Sequence, residues 1–393
     1  MKVKGLRIII ILVAIVIFNS FCQSNNIGKI SLTEIENIEF NLGYAPMSRY
    51  SGTVELHGKE YLYFGDAMTN KCIDIVAYNT DTVCRIPLNE VIKKEEIEDF
   101  YIRNLDSIFV LSQYSNHLYL IDNKGSILKT AYFTQYLKPH GSYDLRSSAY
   151  QDFYFNGSFL FAGERHVEAP FEDDVKSLRY ICGKMYASPH FFKFTNVFTD
   201  SAKLQTGLNG YYLKLVTSDS FLVESQFYYH IENKNRLFCF SAYSDKISEI
   251  DPDSLTIKRD ITIKSKYTKV GCSPVPINEE TLKDNNLISN TLQTQGGIAR
   301  LFFDKYRQLF YVIVMHSVDG NAPKNNRGPY RAWSLFVYDS TFTNFSEIKM
   351  PPLKLDPFNI IVCKEGLLIS TNFPMNKNYE SNKAKFTLFK VSR

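Results

Sequence analysis

The side chains best placed to do chemistry gather in two polar stretches. The first, HSVDGNAPKNNRGPYRAWS, holds His316, Arg327, Tyr330, Arg331 and Trp333, the only tryptophan of the chain. Arginine beside exposed aromatic rings is the composition of recognition surfaces, because both residue types give large contact areas at little cost in flexibility. The second stretch offers Arg165, His166 and Glu168, followed by Glu172, Asp173 and Asp174. Together they read as a mixed-charge binding site for a glycan, a peptide or a partner protein. The plainer alternative is a solvated loop whose Trp333 packs as a plug over the edge of a sheet.

Motifs of catalysis are missing. Gly271-Cys272-Ser273-Pro274 lacks both the GxSxG pattern and the strand-to-helix setting of a nucleophile elbow. No HExxH, Walker A or GxGxxG run occurs. Asp251-Pro252-Asp253-Ser254 reads as a turn, and Glu172–Asp174 supplies too few oxygens for calcium. The histidines, His57, His117, His140, His166, His190, His230 and His316, are scattered singly. No CxxC or Cys/His metal spacing appears. The sequence therefore predicts no catalytic residue, no metal site and no cofactor.

What must position these residues is a β-rich chain. Of 393 residues, 45% are hydrophobic, and 26 Tyr and 30 Phe favour the pleated surfaces of an all-β fold. A formal net charge of +4 is too weak to argue for nucleic acid, and no basic cluster with interleaved aromatics stands out.

The repeating unit is a hairpin of two apolar runs around a polar turn. It recurs six times: Gly52–Asp66, Phe100–Gln113, Asp152–Glu164, Phe227–Ala242, Ala299–Val314 and Phe358–Thr371. Asn, Gly, Asp and Lys in the turns tolerate the positive φ a tight hairpin needs. The runs are apolar throughout, as strands buried on both faces are. A third strand often ends in an acidic residue, and a more polar fourth follows, as an outer strand facing water should. Four-stranded antiparallel units repeated around an axis make a β-propeller, here of six blades, with seven as the alternative. In the third unit, Ser177–Tyr186 and His190–Thr195 are expected to be the outer pair, and Asp200–Ser220 fits no slot. Lys385–Val391 ends the chain as a third strand. Ile30–Leu42 is expected to supply the missing fourth and so close the ring. One domain is expected over residues 30–393, since no Pro-, Gly- or Ser-rich linker divides it.

In such a meander, loops joining strands two and three share a face with the blade-to-blade connections. These are the long ones here, so that face is expected to carry function. Glu55, Arg103, Asp152, His230, Arg300 and Asn359 on the first strands are candidates for a polar central channel. If such groups converge there, the alternative function is a hydrolase or lyase acting on a sugar, lactone or peptide at the channel mouth.

The N-terminus reads as an export signal. Lys2, Lys4 and Arg7 precede the apolar run Ile8–Phe18, which is shorter than the ~20 residues a spanning helix needs. Cys22 follows, and then the uncharged stretch Gln23–Asn26. A cysteine directly after such a core resembles a bacterial lipoprotein signal, although Phe21 departs from the small residue that pattern has before the cysteine. Residues 1–22 are thus expected to be the signal and 23–29 a tether. The other cysteines, mostly inside apolar runs such as LFCF, are expected to be free and buried.

The signal with Cys22, the LDSIFVL strand and the LYLIDNKG third-strand turn resemble exported Bacteroidetes lipoproteins of unknown function with a TolB-like six-bladed propeller. The resemblance implies a fold and a membrane-anchored location in the cell envelope; in such lipoproteins an acidic stretch after the cysteine can mark display on the outer surface, and the uncharged Gln23–Asn26 favours the periplasmic side over it. It transfers no reaction and no catalytic residues. The function it leaves open is that of a tethered, non-enzymatic propeller binding a protein, peptide or glycan through its long loops.

Overall fold

A computed structural model describes residues 30–46, 50–67, 70–78, 82–147, 153–171, 174–222, 228–232, 236–284, 294–319 and 331–392. Six antiparallel sheets of the expected kind form a six-bladed β-propeller, which removes the seven-bladed alternative. Blade one runs through Ser51–Leu56, Lys59–Asp66, Cys72–Val76 and Thr82–Pro87, and blade two through Ile97–Asn104, Ser107–Ser112, His117–Ile121 and Ile127–Tyr132. Blade four comprises Tyr228–Glu232, Arg236–Phe240, Lys246–Ile250 and Ile257–Thr262. Blade five comprises Gly297–Asp304, Leu309–Met315, Trp333–Asp339 and Phe345–Met350.

Blade six is assembled from both ends of the chain. Ile360–Val362, Leu367–Ser370 and Ala384–Ser392 are joined by Ser31–Phe40 as the outer strand, as expected. The register runs from Ser31 opposite Ser392 to Phe40 opposite Ala384. Thr387 Oγ1 donates to Asn37 Oδ1 at 2.7 Å, and Lys383 Nζ lies 2.7 Å from Glu39 Oε1. Most of the strand faces water, but Phe40 is buried against Phe64 of blade one and Phe386 of blade six. The closing strand thus also fills the seam between the first and last blades.

The core lies between blades rather than at one centre. Phe133, Phe153, Phe161, Phe192 and Phe194 fill the seam between blades two and three, together with Phe109 and Leu111. Phe238, Phe310, Phe336 and Phe342 do the same between blades four and five. The large aromatic content is explained by these seams, because flat rings fill the gap between two twisted sheets.

Turn chemistry also follows the sequence. The aspartate ending the third strand caps the turn into the fourth. Asp122 Oδ1 accepts from Lys124 N and Ser126 N, Asp251 Oδ1 from Asp253 N and Ser254 N, and Asp339 Oδ1 from Thr341 N and Thr343 N. Side-chain oxygens that satisfy turn amides in this way let the strand reverse without orphaned donors. Gly125 closes the first of these turns at φ +76°, and a Cβ there would meet the Pro87 carbonyl oxygen at 2.1 Å. The six described cysteines are free, five of them buried and Cys84 partly so.

Blade three departs from the expectation. Ser177–Tyr186 is no strand but part of the helix Asp174–Ala187. Val175, Leu178, Cys182, Met185 and Tyr186 recur at helical spacing and pack as one face into a core cluster. Phe191–Thr195 is the third strand rather than the fourth, and Lys203–Gly207, inside the stretch that had no slot, is the fourth. The inner position is shared by Ser142–Arg146 and Tyr154–Phe155, both paired to the second strand Ser158–His166. A small two-stranded sheet, Ser220–Phe221 with Val275–Pro276, lies outside the blades.

Two measurements check this architecture. Phe40→Ala should destabilise by about 3–5 kcal/mol in denaturant unfolding, while Ile35→Ala, on the exposed side of the same strand, should stay within about 0.5 kcal/mol. Equal effects would show that the strand does not hold the seam. The second concerns His190, buried beside Tyr212 with Nε2 3.4 Å from the Tyr186 carbonyl oxygen at the end of the helix. Burial depresses its pKa from 6.5 to about 4. Its contribution is therefore complete above pH 6.5 and is lost as pH falls through 4, because the unfolded chain takes up the proton first. That loss should amount to about 3 kcal/mol and should flatten in His190→Gln.

Candidate functional site

Loops joining strands two and three, and connections between blades, emerge on one face; the tight hairpin turns form the other. Eight of the exposed large apolar side chains belong to the first face: Tyr114, Tyr132, Phe171, Tyr180, Leu213, Tyr267, Met375 and Tyr379. Among the described residues, Leu128, Tyr306 and Phe345 lie at or next to the hairpin turns of the other face.

Of the blade-five group, Arg327 and Tyr330 lie outside the described residues. The other three turn inward. Trp333 opens the third strand, opposite Met315 and Met350, and is fully buried among apolar neighbours. His316 and Arg331 are also buried. His316 Nε2 is 2.8 Å from Ser334 Oγ, and its ring stacks under Tyr267. Burial lowers the His316 pKa, and Lys349 nearby lowers it further. Burial likewise brings Arg331 down to about 10, which leaves it charged at neutral pH. This group locks a loop base, and the packing reading of Trp333 is the one its environment supports.

The blade-three group divides by strand alternation. Ser142 pairs with His166, Tyr143 with Arg165 and Asp144 with Glu164, so His166, Glu164, Asp144 and Arg146 share one side of the sheet while Arg165 lies on the other. Arg165 Nη1 donates to Ser188 Oγ at 2.5 Å and packs over Gly141, which is a role within the fold. His166 Nε2 lies 2.9 Å from Asp144 Oδ2 and is half-exposed. Glu168 is exposed beyond the strand.

Around His166 stand residues that the sequence reading did not single out. Arg146 Nη1 is 3.4 Å from Glu98 Oε2 on the inner strand of blade two, and Nη2 is 3.7 Å from Asp144 Oδ2 and 3.6 Å from Glu164 Oε2. The Arg146 guanidinium also lies 5.7 Å from the ring centre of Tyr114, a side chain 60% exposed at the tip of the blade-two loop. Glu98, Asp144 and Arg146 come from inner strands of adjacent blades, which places the network at the channel mouth on the long-loop face. Ser142–Arg146 lies between the second and third hairpins, outside the runs the sequence assigns to strands. Its alternation, Ser-Tyr-Asp-Leu-Arg, was the signal that could have found it.

The blade-two loop that carries Tyr114 is held by a second carboxylate–histidine pair. His117 Nδ1 lies 2.5 Å from Glu95 Oε1, and Ser115 Oγ donates to Glu95 Oε2. Burial opposes ionisation of Glu95, but hydrogen bonds from Ser115, Ser112 and His117 hold its pKa below the usual carboxylate value. Asn116 fixes the loop to blade three, with Nδ2 donating to Tyr143 O at 2.6 Å and Oδ1 accepting from Leu145 N at 2.7 Å.

Of the other channel candidates, four have described side chains, and these stand apart in their roles. Glu55 and Arg103 are exposed, Asp152 lies outside the described residues, and the side chain of His230 does too. Arg300 Nη1 donates to Phe358 O at 2.7 Å, and Ser51 Oγ to Asn359 Oδ1 at 3.0 Å, so both candidates tie neighbouring blades together. Among the described residues, no three His, Cys, Asp or Glu side chains gather as metal ligands, and no helix is long and apolar enough to cross a membrane.

No family model and no curated protein matches the chain. Among solved structures, a member of the DUF4221 family from Bacteroides vulgatus is similar with a TM-score of 0.69 at 20% identity, over 93% of this chain and 99% of that one. A Bacteroides fragilis protein named as exported gives 0.48 at 9%, over 93% and 95%, and a streptogramin B lyase gives 0.41 at 11%, over 93% and 98%. The first likeness is one of fold, and the two below 0.5 carry no argument. The chain thus shares its propeller with a Bacteroides protein from a family that carries no functional name.

Proposed function

We propose that this is a binding propeller that recognises a peptide, protein or glycan on its long-loop face, without chemistry of its own. The observation that carries the reading is the sidedness of the surface. Exposed aromatic and apolar side chains collect on the face where the polar network of Glu98, Arg146, Asp144, Glu164 and His166 opens. Rings with water on one side and charged groups beside them gain most from being covered.

A second reading is favoured by one contact. The Asp144–His166 pair is a carboxylate-oriented imidazole, the arrangement general acid–base catalysis uses, and it stands at the channel mouth where the hydrolase or lyase alternative needs it.

We further propose that the protein is held at a membrane through lipidated Cys22, on the sequence pattern and the resemblance to exported Bacteroidetes lipoproteins. One acyl chain alone binds a membrane reversibly, so stable anchoring takes a second chain or another membrane-binding signal beside it.

Two tests follow. On peptide and glycan arrays, Tyr114→Ala with His166→Ala should weaken the strongest signals at least tenfold, while Tyr306→Ala with Phe345→Ala on the hairpin-turn face should leave them unchanged. The opposite pattern would move the binding face. In cells, Cys22→Ala should abolish incorporation of labelled palmitate and release the protein from membranes. Continued labelling would place the lipid elsewhere.

A further inference from the structure

We propose that the network between blades two and three selects an organic cation, the ammonium or guanidinium group of a Lys- or Arg-bearing peptide. This deepens, and rests on, the reading of the long-loop face as the binding face. Three features carry it.

The first is charge. Three carboxylates, Glu98, Asp144 and Glu164, stand around the one guanidinium of Arg146, with His166 beside Asp144. The side chains of Glu98 and Asp144 are only 5% and 14% exposed, so solvent screens them poorly.

The second is geometry. Arg146 is shared among the three carboxylates at 3.4, 3.7 and 3.6 Å, all longer than the about 2.8 Å of a well-made charge-assisted hydrogen bond. The fork stands off from all three carboxylates rather than closing a short bidentate pair with any one of them. Asp144 and Glu164 therefore keep acceptor capacity that an incoming N–H donor can use, and Glu164 is half-exposed and open to approach.

The third is the aromatic wall. Tyr114 stands beside the carboxylates, already 5.7 Å from one guanidinium and with most of its surface in water. A ring next to carboxylates attracts cations through its electron-rich face. The ring is also set rigidly, because its loop is pinned by Asn116 and by the Glu95–His117 pair. A preset wall loses little freedom on binding.

The test is fluorescence polarisation of the full mature chain with two labelled pentapeptides, Gly-Lys-Gly-Lys-Gly and Gly-Gln-Gly-Gln-Gly, and calorimetry with a neutral tetrasaccharide. The lysine peptide should bind at least tenfold more tightly than the glutamine peptide, and its affinity should fall as potassium chloride rises. Glu164→Gln should weaken it about threefold and D144N/E164Q at least tenfold, with Tyr114→Ala also weakening it. Thermal midpoints taken alongside separate these effects from loss of fold, and Glu164→Gln, at a half-exposed site, keeps the test open if the double variant unfolds. Equal binding of the two peptides, no binding of either, or indifference to Glu164→Gln would overturn the cation proposal. If the neutral tetrasaccharide binds and Tyr114→Ala removes it, the cation proposal fails while the face stands. If no probe responds to any variant on this face, both fail.

Discussion

Everything in this molecule depends on one strand pair, Ser31–Phe40 against Ala384–Ser392. A propeller buries its apolar surface between blades, so each blade needs two neighbours. The first and last blades obtain theirs only when the ring is held shut. Pairing the two ends of the sequence makes closure a matter of backbone hydrogen bonds, and Phe40 adds an apolar contact to blade one from the same strand. The entropy of bringing such distant segments together is large but is spent once, after which every seam is filled. Contacts at the channel repeat the theme on a smaller scale, with Arg300 and Ser51 each reaching from one blade to the next.

Regularity elsewhere makes the third blade informative. Its inner position is taken by two short segments, and a helix is inserted between its second and third strands. These irregularities bring Asp144 and Arg146 to the channel mouth and give the face its helix with exposed Tyr180. Function on repeat scaffolds is expected where one repeat departs from the others, because the remaining repeats already supply the stability.

Legibility in the sequence followed the range of the forces involved. Hairpins with polar turns, aspartates at the ends of third strands and the closing strand are local patterns, and they were readable because each satisfies its own backbone groups. The helix Asp174–Ala187 was misread as strand because Tyr180, Ile181 and Tyr186 have strand-like side chains. The spacing of Val175, Leu178, Cys182 and Met185 was the better guide. The site was only partly legible. His166 was chosen and does stand in the polar network, but its neighbour Arg165 points the other way, which alternation along a strand could have indicated. Trp333 and Arg331 were chosen for their residue types, yet burial decides what such side chains do, and burial is set by contacts far apart in sequence. Glu98, Arg146 and Tyr114 meet across blades, a proximity no spacing along the chain encodes.

The direction of the closing strand has a consequence for orientation. Ser31 lies opposite Ser392, and Ile30 N donates to Ser346 Oγ at the start of the outer strand of blade five, so the chain enters the ring from the hairpin-turn side. Seven residues separate Cys22 from Ile30, a reach of at most about 29 Å over eight residue steps when fully extended. An acyl chain on Cys22 would hold the compact turns close against the bilayer and aim the broad surface bearing Tyr114 and His166 outward, toward whatever arrives from the aqueous side.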